Sequence, residues 1–322
     1  MDTEAHSGTA VVFPGMAPSP FEDVSRFMLA NPYARDLLKR AEEVLGYDLL
    51  ERFRNDPDDY SEYAQAAFLV NSVALARWSF EGAGEQPDVI AGASFGGKAA
   101  AVFSGALSFE DAVSMTAQMY RHETAYFAEH HRDAVTQSFA RTPADKLAVI
   151  LAELDERGEW YDLSCHIDDD FWMYTLREES LPRFKERIRA LGGMPIYTMR
   201  PPMHCAAFGD LRETVEREIF PRLTFREPAL PVVADQDGRV LKTADDTRAM
   251  LLDGYVRPVR WPEVVGTLKE LGVGTVRVAG PDALFGRVAL TTRSFEVVRL
   301  TPDAAMRPRR TAPRRPVRRS AA

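Results

Sequence analysis

Pro87-Asp88-Val89-Ile90-Ala91-Gly92-Ala93-Ser94-Phe95-Gly96-Gly97-Lys98-Ala99-Ala100-Ala101 is the stretch that decides the fold. Pro87 to Ile90 ends in a short apolar run, consistent with a buried strand. Gly92 to Gly97 turns the chain tightly, and Lys98 to Gly105 begins helical. Strand, glycine turn and helix in that order is the grammar of a sheet covered by helices. Gly92-x-Ser94-x-Gly96 is also the pattern of a nucleophile elbow, in which small neighbours let the serine stand at a sharp bend. The helix that follows points its N-terminus at the serine, where it can favour an oxyanion. The five-residue pattern alone recurs by chance; the apolar run before it and the alanine-rich helix after it make it informative.

Outward from this stretch, Ala10 to Phe13 reads as a strand stopped by Pro14-Gly15, and helical periodicity covers 32–45 and 62–80. A further helix starts near Phe109 and continues past Arg121. From about Asp133 the pattern changes. Val135–Ala140, Tyr161–Ile167, Phe171–Leu176 and Pro195–Met199 read as strands, with helices at Pro143–Leu154 and Leu181–Leu191. That βαββαβ order is the ferredoxin-like unit. The expected fold is therefore α/β: a large hydrolase-like subdomain (1–132 and 200–305, discontinuous) with an inserted ferredoxin-like small subdomain (133–199). Helices at Leu211–Ile219, Asp245–Leu252 and Trp261–Leu271, and strands at Pro231–Ala234 and Thr275–Val278, complete the large part. The segment 306–322 carries seven arginines among prolines and is expected to be a disordered tail, with tethering to an acidic partner as the functional alternative.

Composition excludes several classes. The net charge of −8 argues against a nucleic-acid partner. No apolar stretch reaches the length of a membrane span, and the acidic start has no secretory h-region. Two cysteines, Cys165 and Cys205, make no disulfide framework. A cytoplasmic monomer with no bound metal or cofactor is the expectation.

Serine needs a base, because its hydroxyl is a poor nucleophile at neutral pH. His6 falls at the terminus, His166 in the insertion, and His122, His130 and His131 on a polar helical face without zinc-site spacing. His204, in Pro201-Pro202-Met203-His204-Cys205, follows the point where the insertion rejoins the large part.

Several segments together resemble the malonyl-CoA:acyl-carrier-protein transacylase family, including discrete, trans-acting acyltransferases of polyketide synthases. Val12-Phe13-Pro14-Gly15-Met16 resembles the family's F-P-G-Q-G, and Ala64 to Leu69 its T-Q-P-A-L. Ala91 to Gly97 resembles A-G-H-S-L-G-E, and Pro202-Met203-His204-Cys205 resembles P-S-H-C. Phe225 to Val233 resembles F-x-x-P-x-x-P-V-V, Arg257 to Trp261 resembles N-P-V-x-W, and Gly280-Pro281 resembles G-P-G. The resemblance spans roughly residues 10–300.

It implies covalent ping-pong transfer with Ser94 as nucleophile and His204 as base. It implies an oxyanion hole from the backbone N–H groups of Met16 and Phe95, and a His-orienting carbonyl at Gly254. The acyl group would ride on the phosphopantetheine of an acyl-carrier protein, or on CoA. Malonyl-selective relatives carry an arginine 25 positions after the serine, and here that position is Met119. With Met203 it suggests an apolar, adaptable acyl pocket, while Arg121 should point elsewhere. Asp168-Asp169-Asp170 reads as a polar turn, with an approach to a cationic acyl amine as the alternative. The FPGM and GASFGGK segments resemble discrete acyltransferases of macrolactam pathways that pass aminoacyl chains between carrier proteins.

The expected activity is therefore transfer of a non-carboxylated group, with an aminoacyl group as one candidate, onto or between carrier proteins in polyketide (antibiotic) biosynthesis. A malonyl or methylmalonyl loader and an editing thioesterase on the same scaffold stand as alternatives, and a non-catalytic carrier-binding module as a more distant one. Arg200, Arg257, Arg260, Arg293 and Arg299 are candidates for a basic patch facing an acidic carrier protein.

Overall fold

The computed structural model describes residues 7–282 and 284–307. Eleven strands occur among them: β1 (Gly8–Phe13), β2 (Val89–Gly92), β3 (Ala134–Ala140), β4 (Tyr161–Asp168), β5 (Phe171–Arg177), β6 (Met194–Met199), β7 (Val232–Val233), β8 (Val240–Leu241), β9 (Val259–Arg260), β10 (Val273–Ala279) and β11 (Glu296–Leu300). They form a six-stranded sheet in the order β11-β10-β1-β2-β7-β8 and a five-stranded sheet in the order β6-β3-β5-β4-β9.

The larger sheet is parallel except for the β7–β8 pair. Its central strands are apolar on both faces because both are covered. Along β1, Val11 and Phe13 enter one core with Ile90 and Val232, under the helix Glu62–Phe80. Ala10 and Val12 enter the opposite core with Val89, Ala91 and Val278, against the helix Trp261–Glu270. The helix Glu62–Phe80 is buried along nearly its whole length, which explains why its sequence is apolar all round rather than on one stripe. Each large apolar side chain buried in these cores stabilises the fold by about 1.5–3 kcal/mol.

The smaller sheet has the β6-β3-β5-β4 order of a ferredoxin-like unit, antiparallel within that set. The helices Ala144–Glu156 and Leu181–Ala190 cover one face, with Phe139, Leu147, Ile150, Phe184 and Ile188 at the centre. On the other face, Cys165 and Ile167 pack into the second core of the large part. The strand β9 joins β4 in parallel and stitches the two parts together. The α/β fold with an inserted ferredoxin-like subdomain is thus as the sequence indicates.

Some elements escaped the sequence reading: the helices Phe21–Ala30 and Leu49–Asn55, the two-residue strands β8 and β9, and the outer strand β11. The tail residues beyond Arg307, and His6, lie outside the described residues, and Met306 closes a short helix, Pro302–Met306.

Candidate active site

The elbow forms because backbone must pass against backbone. A Cβ on Gly96 would lie 2.1 Å from the Phe13 carbonyl oxygen, and one on Gly92 would lie 2.4 Å from the Gly96 carbonyl oxygen. Ser94 between them adopts φ 54°, in the left-handed region that costs a non-glycine residue about 1–2 kcal/mol. The helix Gly96–Phe103 then starts directly beneath it.

His204 arrives on a loop held from two sides. Ser164 Oγ of β4 donates to the Met203 carbonyl at 2.9 Å, and the Cys205 N–H donates to the Tyr255 carbonyl at 3.0 Å. The loop places Nε2 2.7 Å from Ser94 Oγ, although the two residues are 110 positions apart. Burial pushes the imidazole down to about 4, with the Gly254 and Arg257 backbone carbonyls opposing the shift. The ring is therefore neutral at physiological pH. Its Nδ1 is buried and has no hydrogen bond of ordinary length and angle. The main-chain N–H groups of Met16 and Phe95 engage no other group among the described residues.

Ser94 and His204 stand at the base of a cavity of about 460 Å³ between the two subdomains. Met16, Phe95, Met119, Met203 and Gly254 all line it. Met119 is 2% exposed. Arg121 does not line the cavity and instead grips both Glu62 carboxylate oxygens, through Nε at 2.8 Å and Nη2 at 2.7 Å. Position 119 thus offers the cavity no guanidinium, and Arg121 does not replace it.

The cavity also holds polar groups that the sequence reading passed over. Lys98 lies one helical turn after Ser94, with its ammonium 4.5 Å from the centre of the Phe95 ring; burial pushes it down to about 8. Glu123, one turn after Met119, accepts from the Tyr255 hydroxyl at 2.8 Å. Spacing of four from an already identified residue was the available signal for both. Asp235 contacts the elbow directly, with Oδ2 2.6 Å from the Ser94 nitrogen.

Two expectations need correction, and a third, the polar turn at Asp168-Asp169-Asp170, is as the sequence indicates. His130 and His131 are not on a helical face: the helix Phe109–Glu129 ends before them, and His131, at φ 55°, lines the cavity. The triple aspartate does not reach the cavity. Asp168 Oδ2 accepts from the Leu290 N–H, and Asp169 pairs with Arg293 at 2.7 Å, which makes the segment a braced turn. Nor do the five arginines make one free patch. Arg200 pairs with Glu178, Arg257 with Asp237 and Asp253, and Arg293 with Asp168 and Asp169. Arg260 is exposed on β9, and Arg299 lies on the outermost strand of the large sheet. Only Arg200 of the five lines the cavity. No helix among the described residues is long and apolar enough to cross a membrane.

A serine–histidine pair on a strand–turn–helix elbow, under a cleft closed by a ferredoxin-like subdomain, defines an acyltransferase-type α/β protein. Comparison with known proteins agrees. The family described as "VinK acyltransferase small domain" matches residues 138–199. The malonyl CoA-acyl carrier protein transacylase of Escherichia coli is 26% identical over 298 residues, 90% of this chain and 93% of that enzyme. The polyketide biosynthesis protein ThaF of Burkholderia thailandensis is 29% identical over 280 residues, 84% of this chain; the chain spans only 23% of ThaF. Among solved structures, a malonyl-transacylase in complex with its type II polyketide synthase acyl-carrier protein superposes with a TM-score of 0.82 at 23% identity, covering 93% of this chain and 97% of that one. The corresponding enzyme of Coxiella burnetii gives 0.80 at 24%, covering 93% and 96%. The chain is similar to the malonyl-CoA:acyl-carrier-protein transacylases and has their fold.

Proposed function

We propose that this protein transfers a non-carboxylated acyl group, of which an aminoacyl chain is one candidate, between acyl-carrier proteins through an ester on Ser94. The observation that carries the chemistry is the 2.7 Å contact between Ser94 Oγ and the Nε2 of a neutral, buried His204. As Ser94 Oγ attacks the thioester carbonyl, His204 Nε2 takes its proton. The Met16 and Phe95 N–H groups stabilise the oxyanion. The C–S bond breaks, and His204 returns the proton to the departing thiolate. A second phosphopantetheine thiol then gives its proton to His204 and attacks the ester, and Ser94 leaves with that proton. The Gly254 carbonyl supports the His204 tautomer that keeps Nε2 free to accept.

The substrate reading rests on Met119. A carboxylate buried against it would lack a partner, at a cost of several kcal/mol. Acyl-carrier protein as acceptor is supported by the relatives, which are named for transfer between CoA and acyl-carrier protein and one of which is solved with its carrier protein; a carrier protein as donor is this proposal's own extension. The cavity opens between the subdomains, where the pantetheine arm would enter past Arg200. Lys98 favours a second reading, a malonyl or methylmalonyl loader, because its ammonium could pair with the free carboxylate from the elbow side.

Intact-protein mass spectrometry tests both. The wild type is mixed with acetyl, aminoacyl, malonyl and methylmalonyl thioesters, on CoA and on carrier protein. The expected result is fast acylation by uncharged or aminoacyl donors, slow acylation by malonyl donors, and no acyl adduct on Ser94→Ala. Labelling of Ser94→Ala at the wild-type rate would overturn the mechanism, and malonyl as the fastest donor would select the second reading. Rapid loss of the acyl group to water with a carrier-protein thiol present would indicate an editing thioesterase.

A further inference from the structure

Asp235 is a buried carboxyl in direct contact with the elbow, and the chemistry above does not use it. It follows β7 in a turn, 3% exposed. The turn is braced on every side. The Asp235 carbonyl accepts from the Arg260 N–H at 2.7 Å, and Ala234 and Arg239 are bonded across it at 2.9 Å. The Gly238 carbonyl accepts from Thr267 Oγ1 at 2.8 Å. Gly238 itself has φ 70°, and a Cβ there would meet the Glu263 carbonyl oxygen at 2.7 Å. A rigid turn thus delivers the carboxylate to one atom, the Ser94 nitrogen.

That atom needs an acceptor. The Ser94 N–H lies past the end of β2 and before the first turn of the helix Gly96–Phe103, so neither ladder claims it. An unmade bond at a buried N–H costs about 1–3 kcal/mol. The left-handed backbone of Ser94 must also be held against its own preference.

We propose that Asp235 is a positioning residue: its carboxylate anchors the Ser94 N–H and so holds the elbow in the conformation that aims Oγ at His204. This rests on Ser94 being the nucleophile.

The same geometry makes the anchor sensitive to pH. Burial pushes the Asp235 carboxyl up to about 7; the Ser94 N–H opposes that shift, Asp237 adds to it, and Arg257 reduces it. The other titratable groups around the elbow are Cys165, pushed up to about 12, His204, pushed down to about 4, and Lys98, pushed down to about 8. An ionised acceptor binds an N–H about twice as strongly as a neutral one. Ser94 reactivity should therefore rise as pH crosses about 7, where neither Cys165 nor His204 titrates.

A fluorophosphonate tests this without depending on acyl specificity. Ser94 Oγ attacks phosphorus, fluoride leaves, and the serine proton passes to His204. The rate of Ser94 phosphonylation is measured by intact mass from pH 5.5 to 9 for the wild type, Asp235→Asn and Asp235→Ala. Asp235→Asn keeps an acceptor oxygen without the charge. It is expected to react within roughly tenfold of the wild type at pH 8 and to lose the inflection near pH 7, while any contribution of Lys98 nearer pH 8 persists. Asp235→Ala is expected to react about 100-fold more slowly, the scale of a misplaced reacting group. An Asn variant that retains the inflection, or a folded Ala variant that reacts at the wild-type rate, would overturn the proposal; if the Ala variant does not fold, the Asn profile decides. No adduct on Ser94 in the wild type would instead overturn the nucleophile assignment on which it rests.

Discussion

The base of the cavity and its walls are built in different ways. At the base, Gly92 and Gly96, on either side of Ser94, are confined by backbone atoms: the Gly96 and Phe13 carbonyls leave no room for a Cβ on them. On the walls, Met119, Met203 and Met250 present flexible side chains to the same space. Backbone cannot yield without moving a strand, whereas a thioether changes rotamer at little cost. Chemistry and selectivity are thereby separated: the attacking atom is placed by parts that do not move, and the acyl group is accommodated by parts that can.

Gly96→Ala tests the base and should have the largest effect. Its Cβ would overlap the Phe13 oxygen, so β1 or the elbow helix must shift. Overpacking of this kind costs about 1–3 kcal/mol or more. The Ser94–His204 distance changes with it, and Ser94 phosphonylation should fall by about 100-fold or more in whatever protein remains folded. Near-normal reactivity in this variant would show that the base is as adaptable as the walls.

Met119→Arg tests the walls. It should leave the fold and fluorophosphonate reactivity nearly intact, raise malonyl loading by about tenfold or more, and lower loading of uncharged donors. A tenfold change needs about 1.4 kcal/mol of differential binding, well within the reach of a buried ion pair. Malonyl loading that stays slow in the variant, measured as kcat/KM, would mean that Lys98 and Glu123 rather than position 119 set the charge preference.

A separate comparison concerns stability and pH rather than reactivity. Asp235 has a folded value near 7 against an ordinary 3.8, so its contribution is fully present below about pH 3.8 and is lost as pH rises through 7. His204 works the other way: its folded value near 4 lies below the ordinary 6.5, and stability is lost as pH falls from 6.5 to 4. The Tm of Asp235→Asn relative to the wild type should therefore improve between pH 4 and pH 8, by an amount equivalent to about 2–4 kcal/mol. A difference in Tm that does not change with pH would place the Asp235 value near that of an exposed carboxylate.

Local pattern determined much of this molecule. The glycines around Ser94 announce the elbow because close backbone approach leaves no substitute for them. The βαββαβ rhythm between Ala134 and Met199 announces the small sheet because alternation and helical period are written residue by residue. Met119 was legible by counting 25 positions from Ser94 through a segment that resembles the family without a gap. What the sequence left open was decided by partners distant in the chain. β8 and β9 are two residues long, and β9 is a strand only because β4 lies beside it. The exposed edge position of β11 gave its sequence no continuous apolar run. His131 faces the cavity only because the helix before it stops at Glu129. The pairing of Arg121 with Glu62, and of Arg257 with Asp237 and Asp253, withdraws charges that looked free in the sequence. Asp235 is one acid among many until the β7 turn sets it under Ser94, 141 residues away. Spacing along one element is a property of the chain; which charge meets which atom is set by the packing of separate elements.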